Sequence, residues 1–336
     1  MTQYNGRKRS IALLKQDDID TPQTSISGAT YLRAAFPLTP GKDPGLVMSE
    51  GATGSDIAVY TRVPGETNVA FPIEFAAIPN DTMGHALYAV FGDDTVSTVS
   101  GATTHTYTLR GIETSIPAYT VFCDKGYEKK SYESFQWSSF EMSIAAGDTT
   151  GVTITLDGAA QDEVADSNTY SPSWAATPLQ FAYKNLCVDI NDGSYGAAPG
   201  TRVYGITYKI DRQGERKSGS CQSGKQLEYQ NGPGVIITVT LDLWVEADYV
   251  TEYYDKFLAA ESLDVNFKLE GDSLGSADDV YTFEANLPDM RIISDATPTI
   301  EDGPMKASVT LQLDGDYGDT LQNILMNAQA STYASM

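Results

Sequence analysis

Two long stretches of this chain alternate apolar and polar residues with a period of two, and each reads as a β-hairpin. In the first, Phe140, Met142 and Ile144 alternate with Ser139, Glu141 and Ser143. After a turn from Gly147 to Gly151, Val152, Ile154 and Leu156 alternate with Thr153, Thr155 and Asp157. In the second stretch, Tyr204, Ile206, Tyr208 and Ile210 run out and Val235, Ile237, Val239, Leu241 and Leu243 return, with Thr207, Thr238, Thr240 and Asp242 between them. Successive strand side chains point to opposite faces, so each hairpin carries one apolar face and one face of Ser, Thr and Asp. A chain that makes this two-faced sheet twice is suited to building a wall.

The rest of the chain agrees with a mainly β, antiparallel fold. Val, Ile, Tyr, Phe and Thr dominate the strand-like runs, and 29 Gly and 15 Pro punctuate 336 residues. That length fits two domains of about 100–200 residues each. The expected organisation is an N-terminal arm or strap over 1–66, a first β domain over 67–158, a linker over 159–178 rich in Ala, Asp, Ser and Pro, and a second β domain over 179–336. Each domain is read as an antiparallel β-sandwich or half-barrel with one short flanking helix. The first helix is capped by Asp81, has Met83, Leu87, Val90 and Phe91 at helical spacing, and is closed by Gly92. The second is capped by Asp248, with Val250, Tyr253, Tyr254, Phe257 and Leu258 as a stripe packing on the sheet. The apolar parity shifts from odd (Phe135, Trp137) to even (Phe140, Met142), which predicts a β-bulge near Ser138 and Ser139.

Charge narrows the partners. Against 45 Asp+Glu stand 22 Lys+Arg, a formal net charge of −23, which repels phosphate and excludes tight DNA binding. No apolar run reaches the length of a membrane-spanning helix and the N-terminus lacks the apolar core of a signal peptide, so the expectation is a soluble protein made in the cytoplasm, with no membrane partner. Cys123, Cys187 and Cys221 are widely spaced, as free thiols in a reducing compartment would be.

A catalytic constellation is not legible. His85 and His105 read as structural or surface residues, and no Gly-x-Ser-x-Gly elbow places a nucleophile. The pairs Asp93-Asp94, Asp278-Asp279 and Glu301-Asp302 sit in turn-like surroundings without an aromatic pocket. Asp189, Asn191 and Asp192, like Asp314, Asp316 and Asp319, have calcium-ligand character but lack the spacing of a twelve-residue calcium loop, and read as solvated turns. No phosphate loop or transition-metal set is present, so no enzyme and no cofactor is expected. Twenty Tyr and 11 Phe then point to large contacts between subunits. Basic residues gather in two segments, Arg7, Lys8 and Arg9 near the N-terminus and Arg212, Arg216, Lys217 and Lys225 in the long connection from Asp211 to Pro233.

Several segments taken together resemble the phage tail tube proteins, the major tail proteins of long-tailed bacteriophages. They are Gly6 to Lys15, Thr104 to Leu109 followed by Ile116 to Val121, Gly151 to Gly158, and Tyr281 to Ile292 with its central Pro288. Where many relatives carry a Tyr-Gly-Thr-like step, Asp20-Thr-Pro22 stands here. The resemblance implies β-sandwiches whose hairpins join those of neighbouring copies into a barrel around a channel, in a virion tail assembled in the host cytoplasm. It implies a partnership with itself, as a trimeric ring of pseudo-sixfold symmetry or a hexamer stacked into a tube, and with tape-measure and tail-end proteins. DNA would pass in transit without being held. On this reading Ser139, Glu141, Ser143, Thr153, Thr155, Asp157, Thr207, Thr238, Thr240 and Asp242 face the lumen, and the two basic segments contact the adjacent ring. The alternatives are a secreted or surface-layer β-protein, which needs an export signal, and a carbohydrate-binding β-sandwich, which needs an aromatic groove.

Overall fold

A computed structural model describes residues 10–32, 47–51, 59–63, 69–79, 82–99, 102–110, 116–148, 151–172, 180–191, 195, 202–218, 226–230, 234–274, 279–294, 296–298, 305–314, 322–329 and 331–334. Strands dominate. The first half holds β1 (Ser10–Lys15), β2 (Thr30–Leu32), β3 (Val47–Gly51), β4 (Val59–Val63), β5 (Ala70–Ala76), helix α1 (Thr82–Phe91), β6 (Gly92–Val99), β7 (Ala102–Leu109), β8 (Tyr119–Asp124), β9 (Lys129–Ala145), β10 (Thr153–Ala159) and β11 (Asp162–Ala165). The second half holds β12 (Leu186–Ile190), β13 (Val203–Asp211), β14 (Glu215–Ser218), β15 (Gln226–Gln230), β16 (Ile236–Trp244), a π-helical turn (Val250–Tyr254) running into α2 (Asp255–Ala259), β17 (Ser262–Ser273), β18 (Val280–Ile292), β19 (Lys306–Leu313) and β20 (Gln322–Asn327).

The 17-residue strand β9 organises the fold. Its first part pairs with β8 and β11, and its second part pairs with β10 on one side and β13 on the other. Between them the strand bends. Ser134 takes φ 54°, and Ser138 is the extra residue of the expected bulge, because Asp157 faces Ser139 while Gly158 faces Trp137. Bulging lets one strand serve two sheets and turns the apolar side of its second part inward.

Beyond the bulge, six strands lie side by side in the order β5-β10-β9-β13-β16-β19, all antiparallel. A second layer follows the order β12-β17-β18-β20-β7-β6. Tyr208 of β13 joins the layers, its ring 5.5 Å from Phe267 and 6.1 Å from Phe140, and its hydroxyl accepting from Asn323 at 3.1 Å. Buried apolar residues from Ile11 to Tyr333 form one hydrophobic cluster. The two halves expected from sequence therefore share their core. β9 pairs with β13, β7 pairs with β20, and β11 lies inside the stretch expected as a linker.

Other expectations change in detail. β1 pairs along its length with β8 and buries Ile11, Ala12 and Leu13, so this part of 1–66 is a core strand of its own chain and not an arm. Residues 1–9 and Asp81 lie outside the described residues. α1 begins at Thr82, whose hydroxyl donates to the Ala76 carbonyl at 2.8 Å, and ends at Gly92, whose φ of 89° favours glycine. Asp248 does not cap the second helix; its carboxylate holds the Arg202 guanidinium, which also meets Glu246 at 3.1 Å. Of the expected stripe only Tyr253 is buried, while Val250 and Leu258 are 53% and 65% exposed. Tyr254 and Phe257 are half-buried against the core beside Tyr253, so the middle of the stripe packs as expected and its two ends face outward.

The C-terminal segment is fastened by buried polar groups. Asp94 accepts from the Tyr333 backbone N–H at 2.8 Å and lies 3.1 Å from His105 Nδ1, while His105 Nε2 lies 2.9 Å from the Gln329 carbonyl. Tyr333 packs on α1 beside His85, ring centroids 4.9 Å apart. His85 is buried with its Nδ1 lacking a hydrogen-bond partner, and burial lowers its pKa from 6.5 to about 4. The folded chain then binds fewer protons than the unfolded chain between these values. Stability from this site is complete above about pH 6.5 and falls as pH drops toward 4, by up to about 3 kcal/mol. In urea titrations across that range, His85→Gln is expected to show a shallower acid-side loss than the wild type. Parallel pH profiles would contradict this.

Candidate functional site

The six-stranded sheet presents one continuous polar face. Along one row Glu74, Thr155, Glu141, Lys209, Thr238 and Gln312 face one another from strand to strand. The neighbouring row runs Ala76, Thr153, Ser143, Thr207, Thr240 and Thr310. A third begins Pro72, Asp157, Ser139 and Asp211, and Asp242 pairs with Ser308 beyond the second. Each alternate residue, from Ile73 and Phe75 through Ile154, Met142, Tyr208 and Val239 to Val309 and Leu311, is buried in the core. Strand periodicity alone produces this separation.

All ten residues expected to line a lumen stand on this one face, with Ser139 buried among its neighbours, although they come from two hairpins more than forty residues apart in the chain. β9 and β13 bring them together, with Ser143 opposite Thr207 and Glu141 opposite Lys209. Sequence reading identified the two hairpins but not the seam between them. The expected lumen residues also leave out the two outer strands, legible as strands in the sequence, which add Glu74 on β5 and Thr310 and Gln312 on β19.

The face is acidic with a hydroxyl ground. Glu74, Glu141, Asp157, Asp211 and Asp242 give it five carboxylates against the lysines Lys209 and Lys306. Thr240 and Thr310 hydroxyls meet at 3.1 Å, and the Ser139 hydroxyl donates to Asp157 at 3.4 Å. At one end Lys306 Nζ lies over the Trp244 ring at 4.8 Å and the Tyr204 ring at 5.2 Å, which turns one of the two cations toward aromatic faces.

The basic residues expected at contacts between rings have different placements. Arg212 is fully buried. Its Nε donates to the Val90 carbonyl at 2.5 Å and its Nη2 to the Phe91 carbonyl at 2.9 Å, so it closes the C-terminus of α1 and is not available to another ring. The aligned carbonyls of a helix end carry negative partial charge, which is what holds this cation. Burial and nearby Arg110 lower its pKa to about 10, so it stays charged at neutral pH. Arg216 and Lys217 lie on β14, paired through the backbone with Tyr229 and Glu228 of β15, so the expected loop is itself a hairpin. Arg7, Lys8, Arg9 and Lys225 lie outside the described residues.

Among the described residues, no group of three or more His, Cys, Asp or Glu side chains is arranged to hold a metal, and no helix is long and apolar enough to cross a membrane. Asp94 and His105 are buried in the C-terminal fastening described above. No curated protein matches the chain. A family model described as phage tail tube protein does, over residues 6–330. With that match covering nearly the whole of a mainly β, antiparallel fold, the chain belongs to the phage tail tube family and is a structural component of the bacteriophage tail.

Proposed function

We propose that the six-stranded polar face lines the bore of the tail tube and guides DNA by declining to hold it. One observation carries this reading: ten hydroxyl and carboxylate positions from two distant hairpins fall on a single sheet face with an excess of carboxylates. At physiological ionic strength such a wall repels phosphates within about 8 Å, close enough to act on a duplex filling a narrow channel. The two triplets β5-β10-β9 and β19-β16-β13 repeat one pattern, a hairpin with an outer strand, which supports a trimeric ring of pseudo-sixfold symmetry over a hexamer. Rings stack into a tube assembled in the host cytoplasm, with tape-measure and tail-end proteins as further partners. Mass measurement of a single ring separates trimer from hexamer.

The charge mechanism is tested with the variant E141K/D157K/D242K. Wild-type tubes sedimented with linear duplex DNA are expected to leave it in the supernatant. Tubes of the variant are expected to retain it at low salt and release it as salt rises. Equal DNA in the supernatant for both would refute the mechanism.

A further inference from the structure

Exposed apolar surface is concentrated at one margin of the molecule. Of seven large hydrophobic residues exposed among the described residues, five (Trp244, Val250, Leu258, Ile293 and Met305) belong to the π-helical turn and α2 and to the ends of β16, β18 and β19. These segments are tied together: the Val245 N–H donates to the Met305 carbonyl, the Ile293 N–H to the Thr310 carbonyl, and the Tyr249 hydroxyl to the Ala296 carbonyl. A concentration of this kind marks a contact surface, since scattered single residues would need no explanation.

The same margin has an open strand edge. β16 occupies one side of β19, and on the other β18 covers only Leu311 to Leu313, so no described strand pairs with Lys306 to Val309 on that side. At the opposite end of the polar face, β5 pairs with β10 and with no other described strand. Six strands alternate in direction, so the first and last run antiparallel to each other. A second copy can therefore add its β5 to this β19 without breaking the antiparallel pattern or the polar face. Pro72 supplies no N–H donor, which confines a ladder on β5 to Ile73 through Ala76, four residues against the four open on β19. Charge agrees, with Lys306 on the β19 edge and Glu74 on the β5 edge.

We infer that the β19 edge and the apolar surface of the π-helical turn and α2 together form the seam that receives the β5 edge of a second copy of this chain. This rests on the tube reading above and names its joint. A four-residue ladder is short, so the apolar surface supplies most of the attraction. The contact is head-to-tail, of the kind that closes a ring.

Two variants test it in assembled tubes. Val250 and Leu258 are exposed in the protomer, so V250E/L258E is expected to keep the wild-type melting temperature while tube yield falls by about tenfold or more. Antiparallel pairing of these four-residue edges sets Glu74 opposite Ser308, so the pair E74C/S308C is expected to give covalent multimers on non-reducing gels after oxidation of tubes, beyond those of either single-cysteine variant. Undiminished yield from V250E/L258E, or wild-type levels of covalent multimer from the cysteine pair, would overturn the seam while leaving the tube intact. Failure of the wild-type chain to form rings or tubes would instead overturn the reading on which it rests.

Discussion

Arg212→Met is expected to destabilise the folded chain by about 4 kcal/mol, read as a drop in the urea midpoint with an unchanged slope. The guanidinium closes the end of α1 through Val90 and Phe91 and reaches the Arg110 carbonyl at 3.3 Å. Methionine fills similar volume but donates nothing, and it leaves these carbonyls buried without their charged donor. Each orphaned buried acceptor costs about 1–3 kcal/mol, and charged donors lie at the upper end. Arg212→Lys is expected to recover less than half of the loss. An ammonium cannot span carbonyls fixed in a fork geometry, and it is more costly to dehydrate. A loss below about 1 kcal/mol for Arg212→Met would mean the helix end is solvated in solution.

Gly84→Ala is expected to cost about 3 kcal/mol and to release the C-terminal segment. A Cβ at position 84 would fall 2.0 Å from Tyr333 Cζ and 2.2 Å from its Cε2, so the ring must leave its place on α1. With it goes the 3.0 Å hydrogen bond from Asn327 Nδ2 to the Tyr333 hydroxyl, and the backbone contact to Asp94 is strained. Hydrogen exchange in β20 should quicken, since this strand ends two residues before Gln329, whose carbonyl is fixed by His105. Tyr333→Ala removes the same ring. The double variant Gly84→Ala/Tyr333→Ala is therefore expected to be no less stable than Tyr333→Ala alone. Additive losses would show that the two residues do not meet.

What could be read from the sequence was local, and what could not was distant. Alternation along Phe140 to Ile144 and Ile237 to Leu243 specifies strand, face and turn from adjacent residues, and the parity break at Ser138 specifies the bulge. Pairing between β9 and β13, which unites the candidate face, leaves no trace in either segment. Arg212 shows the same limit. In a run of Arg, Lys, Gly and Ser it reads as solvated, yet its partner carbonyls at Val90 and Phe91 lie more than a hundred residues away. β6 was missed because Asp93 and Asp94 suggest a turn, whereas Asp94 is buried against His105 and the Tyr333 N–H. α2 misled in the other direction, since an apolar stripe at helical spacing was assigned to the core when part of it faces outward. At Val250 and Leu258, exposure is the informative departure from pattern, and the proposed seam between copies begins there.

The proposed role of the tube wall depends on the orientation of one sheet, and helical reconstruction of the assembled tube by electron microscopy tests it most directly. The row from Glu74 through Thr155, Glu141, Lys209 and Thr238 to Gln312 is expected on the inner wall, running unbroken from each copy into the next. A map placing that row on the outer surface of the tube, or against another layer of the same subunit, would contradict it.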